Sequence, residues 1–278
     1  MSECYHSKYI LNGEIKDSSL FDIDLVFRGE SIYEVVRIIG EIPLFWEDHV
    51  LRLYHTSEIT GMSIWHNEAF LYKTVSELIR LNSVDEGNIK LVFNYHRRNN
   101  IMDRNFLAYF VEPLYPSEEQ CEQGVKGILF QASRTNPTAK LINQNLRLAV
   151  YKQLIEKGAY EALLIDKEGK ITEGSRSNIF LIRKRHIFTA PDSDVLAGIA
   201  RKYVIETCLK ENVPVTFKKI DCMELQSMDA VFITGTSPKV LPFSEIEKYS
   251  FDSQNPVLRK IMDGYHEIIR NYISGKKV

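Results

Sequence analysis

Cysteine is scarce in this chain. Four occur in 278 residues, at Cys4, Cys121, Cys208 and Cys222, and no two form a Cys-x-x-Cys pair. That spacing excludes a disulfide scaffold and a cysteine zinc site, and it points to reduced thiols in a cytoplasmic protein. The seven histidines, among them His49, His55 and His66, lack metal-ligand spacing, so no metal is expected. An excess of one charge is also missing: 35 Lys+Arg stand against 37 Asp+Glu, a net of −2. This excludes the basic footprint of a nucleic-acid binder. No apolar run reaches the roughly 18 residues of a membrane span. The start, Met1 to His6, has no basic stretch followed by an apolar one, so no signal peptide is expected. Neither phosphate fingerprint, Gly-x-x-x-x-Gly-Lys-Ser/Thr nor Gly-x-Gly-x-x-Gly, occurs. There is no internal repeat and no low-complexity tract.

What is present suits one large domain or two smaller ones, since 44% of residues are hydrophobic. The clearest break is Pro113 to Gln120, with two prolines and a charged tail. It divides a small α+β domain, 1–116, from a large domain, 117–278. In the first, Ser31–Ile39, Ile89–Tyr95 and Phe106–Val111 read as strands. Glu47–Met62 and Asn67–Leu81 carry apolar residues at helical spacing. In the second, Gly127–Gln131, Ala162–Ile165, Asn178–Ile182, His186–Thr189, Val213–Phe217 and Ala230–Ile233 read as strands. Asn143–Lys157, Leu196–Lys210 and Pro256–Ser274 read as helices, the first with Leu146, Ala149, Val150, Leu154 and Ile155 on one side. Asp166 to Gly169 is a tight turn. Alternating short strands and helices predict an α/β barrel-like domain rather than a sandwich.

Four places carry chemistry. Lys140 precedes the helix from Asn143; held where its amine stays neutral, it could bond a carbonyl compound, though by itself it reads equally as a solvated lysine. Glu173 lies in Thr172-Glu173-Gly174 at a strand end. An acid there can pair with a ring nitrogen, or simply face solvent in a hairpin. Gly198 stands where a loop enters a helix, a place for an anion or merely a turn. Thr234-Gly235-Thr236-Ser237-Pro238 follows a strand, with Pro238 suited to open a helix, and forms a second anion-friendly loop. Two such loops without a nucleotide fingerprint suggest a small phosphorylated cofactor.

These residues, in this order, resemble the class IV aminotransferases, the fold-type IV pyridoxal-phosphate family. That family includes D-amino acid and branched-chain aminotransferases and aminodeoxychorismate lyase. The likeness runs from about Tyr9 to Pro242. Its most specific part is Thr172-Glu173-Gly174 through Ser177-Asn178-Ile179-Phe180. Ile32-Tyr33-Glu34-Val35-Val36-Arg37 and His49-Val50-Leu51-Arg52-Leu53 add to it. The resemblance implies pyridoxal 5'-phosphate held by Lys140 as a Schiff base, with Lys140 then moving the substrate proton. It implies that Glu173 pairs with the pyridine nitrogen and Leu196 packs on the ring. Arg52, Gly198, Ile199, Ala200 and Thr236 would hold the phosphate. Tyr33, Tyr95, Thr236 and Ser237 would line the substrate side. Asn143 is assigned only helix capping.

The sequence departs from the family at three points. Ala200 stands where a threonine is frequent. Tyr95 stands where an arginine commonly meets the substrate carboxylate, with Arg97 and Arg98 close behind. Phe27-Arg28-Gly29-Glu30-Ser31 replaces a segment with two glycines, which would set Arg28 at the substrate entrance. The expected activity is amino transfer between a small branched-chain-like or D-amino acid and a 2-oxo acid. The alternatives are an aminodeoxychorismate lyase releasing pyruvate, toward which the Lys140/Asn143 spacing leans, and a weakly active cofactor-binding protein. The resemblance also implies a homodimer, with no membrane or nucleic-acid partner.

Overall fold

The computed structural model describes residues 3–99 and 101–276, so Met1 and Ser2 of the leader reading lie outside it. Contacts divide the chain into two compact units. The first is Met1–Leu114 with Ala139–Ile142 and Tyr272–Val278; the second is Tyr115–Thr138 with Asn143–Asn271. Two segments beyond residue 117, one of them carrying Lys140, thus count with the first unit.

The first unit is an antiparallel sheet with its two long helices on one face. Its strands are β1 (Lys8–Leu11), β2 (Glu14–Asp17), β3 (Glu30–Ile39), β4 (Ile42–Pro43), β5 (Glu86–Arg98) and β6 (Ile101–Val111), in the order β2-β1-β6-β5-β3-β4. After the single turn α1 (Asp24–Phe27) come α2 (Trp46–Thr60) and α3 (Glu68–Asn82), the latter capped by the Asn67 side chain on the Phe70 N–H. Strand alternation sorts the side chains. Ile32, Val36 and Ile38 of β3 and Leu91 and Phe93 of β5 share a core with Val50 and Leu53 of α2 and Leu71, Val75 and Leu78 of α3. Tyr33, Val92, Leu107 and Tyr109 lie in a separate cluster with Val26. The entry to β3 needs Gly29. Its φ is +76°, and a Cβ would lie 2.3 Å from the Tyr95 carbonyl oxygen.

The second unit holds β7 (Val125–Gln131), β8 (Glu161–Ile165), β9 (Lys170–Gly174), β10 (Asn178–Arg183), β11 (His186–Thr189), β12 (Val215–Phe217), β13 (Ile220–Asp221), β14 (Ala230–Gly235), β15 (Lys239–Ile246) and β16 (Tyr249–Ser250). They form one mixed sheet, β12-β11-β10-β14-β15-β7-β8-β9-β13, with β16 beside β15. Val125, Leu163, Ile171, Leu181, Val231 and Phe243, from strands spread across that order, meet in one core. A flat sheet could not bring them together, so this one curls, as the barrel-like expectation requires. Its helices are α4 (Glu118–Gln123), α5 (Gln144–Lys157), α6 (Ile199–Lys210) and α7 (Pro256–Lys276), the last of which ends in residues that count with the first unit.

Three expectations are corrected. The helix expected from Leu196 starts at Ile199, with Gly198 as its cap, because Leu196 is tied to Glu173 and Asn178. Pro238 opens no helix; it sits in the turn from β14 into β15, where Gly235 faces Lys239. Ala149 and Ile155 do not join the packed side of α5, and both are exposed. Ile155 is 63% exposed, Leu148 and Tyr151 are exposed beside it, and only Val150 of that helix is fully buried.

Candidate active site

In the first unit, Lys140 is fixed by its own backbone. Its carbonyl accepts the Tyr33 N–H at 3.2 Å and its N–H donates to Thr56 Oγ1 at 3.3 Å. Leu141 bridges to Ile32, and the Ile142 N–H donates to the Ser31 carbonyl at 3.0 Å. The segment therefore lies along the start of β3 like a short extra strand. Its half-buried side chain places Nζ 4.8 Å from the centre of the Tyr33 ring.

Beside it is a buried ionic group. Glu34, 1% exposed, accepts from Arg52 twice, Nε to Oε1 at 2.8 Å and Nη2 to Oε2 at 2.6 Å. His49 Nδ1 meets Oε2 at 2.8 Å. His49 and Arg52 are one turn apart on α2, so both reach the same carboxylate. Burial pushes the Glu34 carboxyl up, but the Arg52 charge and the hydrogen bonds outweigh it and hold the group well below the carboxylate range. Burial lowers His49 below the usual histidine range, and Arg52 and Lys140 push the same way against the bond to Glu34.

Both shifts have one consequence for pH. A depressed value in the folded state means that protons bind the unfolded chain more readily, so acid favours unfolding. Stability should therefore fall as the pH drops below 6.5, the ordinary histidine value, and again below 4.5 at Glu34. Thermal melts across this range should show the first loss in the wild type and a shallower one in His49→Asn. Equal slopes in the two proteins would exclude His49 as its source.

On the Tyr33 side lies a second buried cation. Lys90, 2% exposed, pairs with Glu3 at 2.8 Å and stands 5.3 Å from the Tyr33 ring centre. Tyr95 is not part of this group. It belongs with Leu91 and Phe93 in the core under α2 and α3, and its hydroxyl donates to the Ser63 carbonyl at 2.9 Å. Burial pushes that phenol up to about 12. By strand alternation Tyr95 lies on the face of the sheet opposite to that of Tyr33, whose register partner is Val92. Arg97 and Arg98 are exposed, and Arg28, also exposed, pairs with Asp24 at 2.5 Å.

In the second unit, Glu173 on β9 is 3% exposed rather than solvent-facing. Its Oε2 accepts the Leu196 N–H at 3.2 Å. Arg134 Nε stands 3.0 Å from Oε1 as an ion pair, and Arg134 Nη2 donates to the Ser175 carbonyl at 2.7 Å. A polar cavity of about 140 Å³ opens here, lined also by Thr172, Asp166 and Lys219. The Asn178 side chain donates to the Leu196 carbonyl at 2.9 Å, so Leu196 is held from both sides just before α6.

The first turn of α6 begins at Ile199 and Ala200, and no side chain caps it. Its leading N–H groups and dipole suit an anion. Thr234, paired in register with Asn178, keeps a buried hydroxyl with no hydrogen-bond partner among the described residues. Thr236 and Ser237 follow in the half-buried turn after β14. Gly198 is required by space, since a Cβ would lie 2.0 Å from Asn178 Oδ1. Gly198→Ala should therefore cost about 1–3 kcal/mol and displace the start of α6. Denaturant melts check this, and a variant as stable as the wild type would contradict it.

Taken unit by unit, the residues suit parts of a phosphorylated pyridine aldehyde. The first unit offers a lysine amine. The second offers a buried carboxylate suited to a protonated ring nitrogen, and an uncapped helix start and a hydroxyl without a partner among the described residues, both suited to a phosphate. Sequence motifs do not reach Lys90 and Arg134, whose carboxylate partners Glu3 and Glu173 are far away in sequence. Glu34 is signalled by its place beside Tyr33, and Thr234 by the loop Thr234–Pro238, though not its unpartnered hydroxyl.

A D-alanine aminotransferase of Bacillus licheniformis is 28% identical over 261 residues, covering 90% of this chain and 92% of its own. An aminodeoxychorismate lyase of Bacillus subtilis is 22% identical over 255 residues, 87% and 86% of the two chains. The branched-chain amino acid aminotransferase of Escherichia coli shares the fold with a TM-score of 0.84 at 20% identity, covering 95% of each chain. Among the described residues no helix is long and apolar enough to cross a membrane. The family model described as amino-transferase class IV matches residues 31–246, well over half of the sequence. The chain belongs to the class IV aminotransferases, a family of pyridoxal-phosphate enzymes.

Proposed function

We propose that this chain is an aminotransferase that moves an amino group between a small amino acid, branched-chain-like or of the D series, and a 2-oxo acid. The observation that carries this reading is Lys140, pinned by backbone hydrogen bonds to β3 with its amine over the Tyr33 ring. Pyridoxal phosphate, when bound, supplies an electron sink for the charge left on a substrate α-carbon. Lys140 would hold the cofactor through its amine and would move the proton to and from that carbon. Glu173 keeps a proton at the pyridine nitrogen. Arg52, the N–H groups of Ile199 and Ala200, and Thr236 hold the phosphate, with Gly198 giving the helix start its clearance. Leu196 supports the ring, and Tyr33 and Ser237 shape the substrate side.

Transfer is favoured over lysis by the Tyr33-Glu34 pairing of the transaminase branches, whose glutamate is committed here to Arg52. Asn143, the residue that leans toward the lyase, has its side chain on the Leu146 N–H as a helix cap. Steady-state assays with L- and D-amino acids and 2-oxo acids should show ping-pong transfer. Release of pyruvate and 4-aminobenzoate from aminodeoxychorismate without an acceptor would instead assign the lyase.

The reading includes a homodimer. Leu148, Tyr151 and Ile155 form one apolar stripe along α5, each at least 60% exposed. A second copy of the chain is the occupant expected from the family. Tyr151→Glu with Leu148→Glu should convert the dimer to a monomer in light scattering. A wild type already monomeric at micromolar concentration would refute it.

A further inference from the structure

Glu34 is buried, yet it makes no apolar contribution to the core it adjoins. A carboxylate taken out of water gives up solvation that only pairing and hydrogen bonds offset, and an apolar residue of that size would pack there without the loss. Its two oxygens are used by Arg52 Nε and Nη2 and by His49 Nδ1. The bidentate contact sets not only the position of the guanidinium but its plane, because both groups are rigid and flat. The pairing takes one edge of the guanidinium, so its Nη1 end is directed away from Glu34. With Arg52 at +1, Glu34 at −1 and His49 neutral, the group adds no net charge. What it adds is orientation.

We infer that Glu34 is a positioning residue for phosphate recognition, fixing the plane in which Arg52 meets the cofactor phosphate, with His49 steadying its second oxygen. This rests on the proposed pyridoxal-phosphate reading and on Arg52 as a phosphate contact. It differs from a purely structural role in one measurable respect. Loss of Glu34 should weaken ligands that carry the phosphate and spare those that lack it.

The test is cofactor binding rather than turnover. Apoprotein of the wild type, Glu34→Gln, Arg52→Gln and the double variant is titrated in parallel with pyridoxal phosphate and with pyridoxal. Glu34→Gln should lose about tenfold or more in affinity for pyridoxal phosphate and less than about twofold for pyridoxal. The double variant should bind no more weakly than Arg52→Gln, since one residue acts through the other. Glu34→Asp keeps the charge and secures the test if the glutamine variant folds poorly; it should show the same selective loss in smaller measure. Equal losses for both ligands, no loss for either, or additive losses in the double variant would overturn the inference. Arg52→Gln without phosphate selectivity would instead refute the underlying assignment of Arg52, and the inference with it. The two failures are thus distinguishable by which single variant behaves alike toward both ligands.

Discussion

Lys140→Ala should lower kcat/KM for the amino donor by about ten-thousandfold or more, the scale expected when the group that moves the proton is removed. It should leave the fold nearly untouched. The residues that tie this segment to β3 do so through backbone atoms: the Tyr33 N–H, the Lys140 carbonyl, the Ile142 N–H and the Ser31 carbonyl. Alanine keeps every one of them, and the side chain that is lost is only half-buried. Melting temperature should therefore stay near that of the wild type while activity collapses. Covalent capture supplies a second readout. Borohydride treatment of wild-type holoenzyme should fix the cofactor mass on the peptide containing Lys140, and the alanine variant should carry no such label. Small primary amines added to the variant should restore part of the activity, because the missing function is an amine in a preserved space. A variant that keeps full activity, or a label found on another lysine, would remove Lys140 from its assigned role.

Much of this arrangement is legible in the sequence. The β-branched, apolar run Ser31–Ile39 and the apolar residues at helical spacing in α2 and α3 point to part of the sheet and to the two long helices; Val50, Leu53, Leu71, Val75, Leu78 and Ile79 join the core, whereas Leu51 and Ile59 are exposed. The ordered motifs around Lys140, Glu173, Gly198 and Thr236 point to one kind of cofactor because each suits a different part of it. What escapes has physical causes. β1 and β2 are four residues each and half polar, so their periodicity is faint, although Asn12-Gly13 between them, both at positive φ, is the usual signal of a two-residue hairpin. β15 contains Pro242, which cannot donate to a ladder and argues against a strand, yet it pairs opposite Phe232. Leu196 and Ala197 have helical propensity, but side chains from β9 and β10 hold Leu196 outside the helix. Motif position alone sets Tyr95 on the substrate side; two-residue alternation along β5, continued from Leu91 and Phe93, turns it into the core. The partners of Lys90, Arg134 and Arg52 lie 87, 39 and 18 residues away, 90 − 3, 173 − 134 and 52 − 34. Pairings of that range are set by the fold and leave no local pattern.

Glu173→Gln is expected to produce the second largest loss, about a hundredfold to a thousandfold in turnover, the range seen when one electrostatic group aimed at developing charge is removed. The substitution keeps the shape of the side chain, and an amide oxygen can still accept the Leu196 N–H. What disappears is the negative charge, and with it the ability to hold a proton at the pyridine nitrogen. Arg134, 18% exposed, also loses its carboxylate, but its guanidinium keeps the Ser175 carbonyl, so the cost to stability should be modest. The pattern of loss is the useful part. Glu173→Gln should still be labelled on Lys140 by borohydride, because covalent capture needs only the lysine amine, whereas Lys140→Ala should not be labelled at all. Arg134→Gln should fall between Glu173→Gln and wild type, since it acts on the ring only through Glu173. If Glu173→Gln turned over within about fivefold of the wild type, the buried carboxylate would not be the partner of the ring nitrogen. Its burial beside Arg134 and Leu196 would then be explained by anchoring the approach to α6 alone.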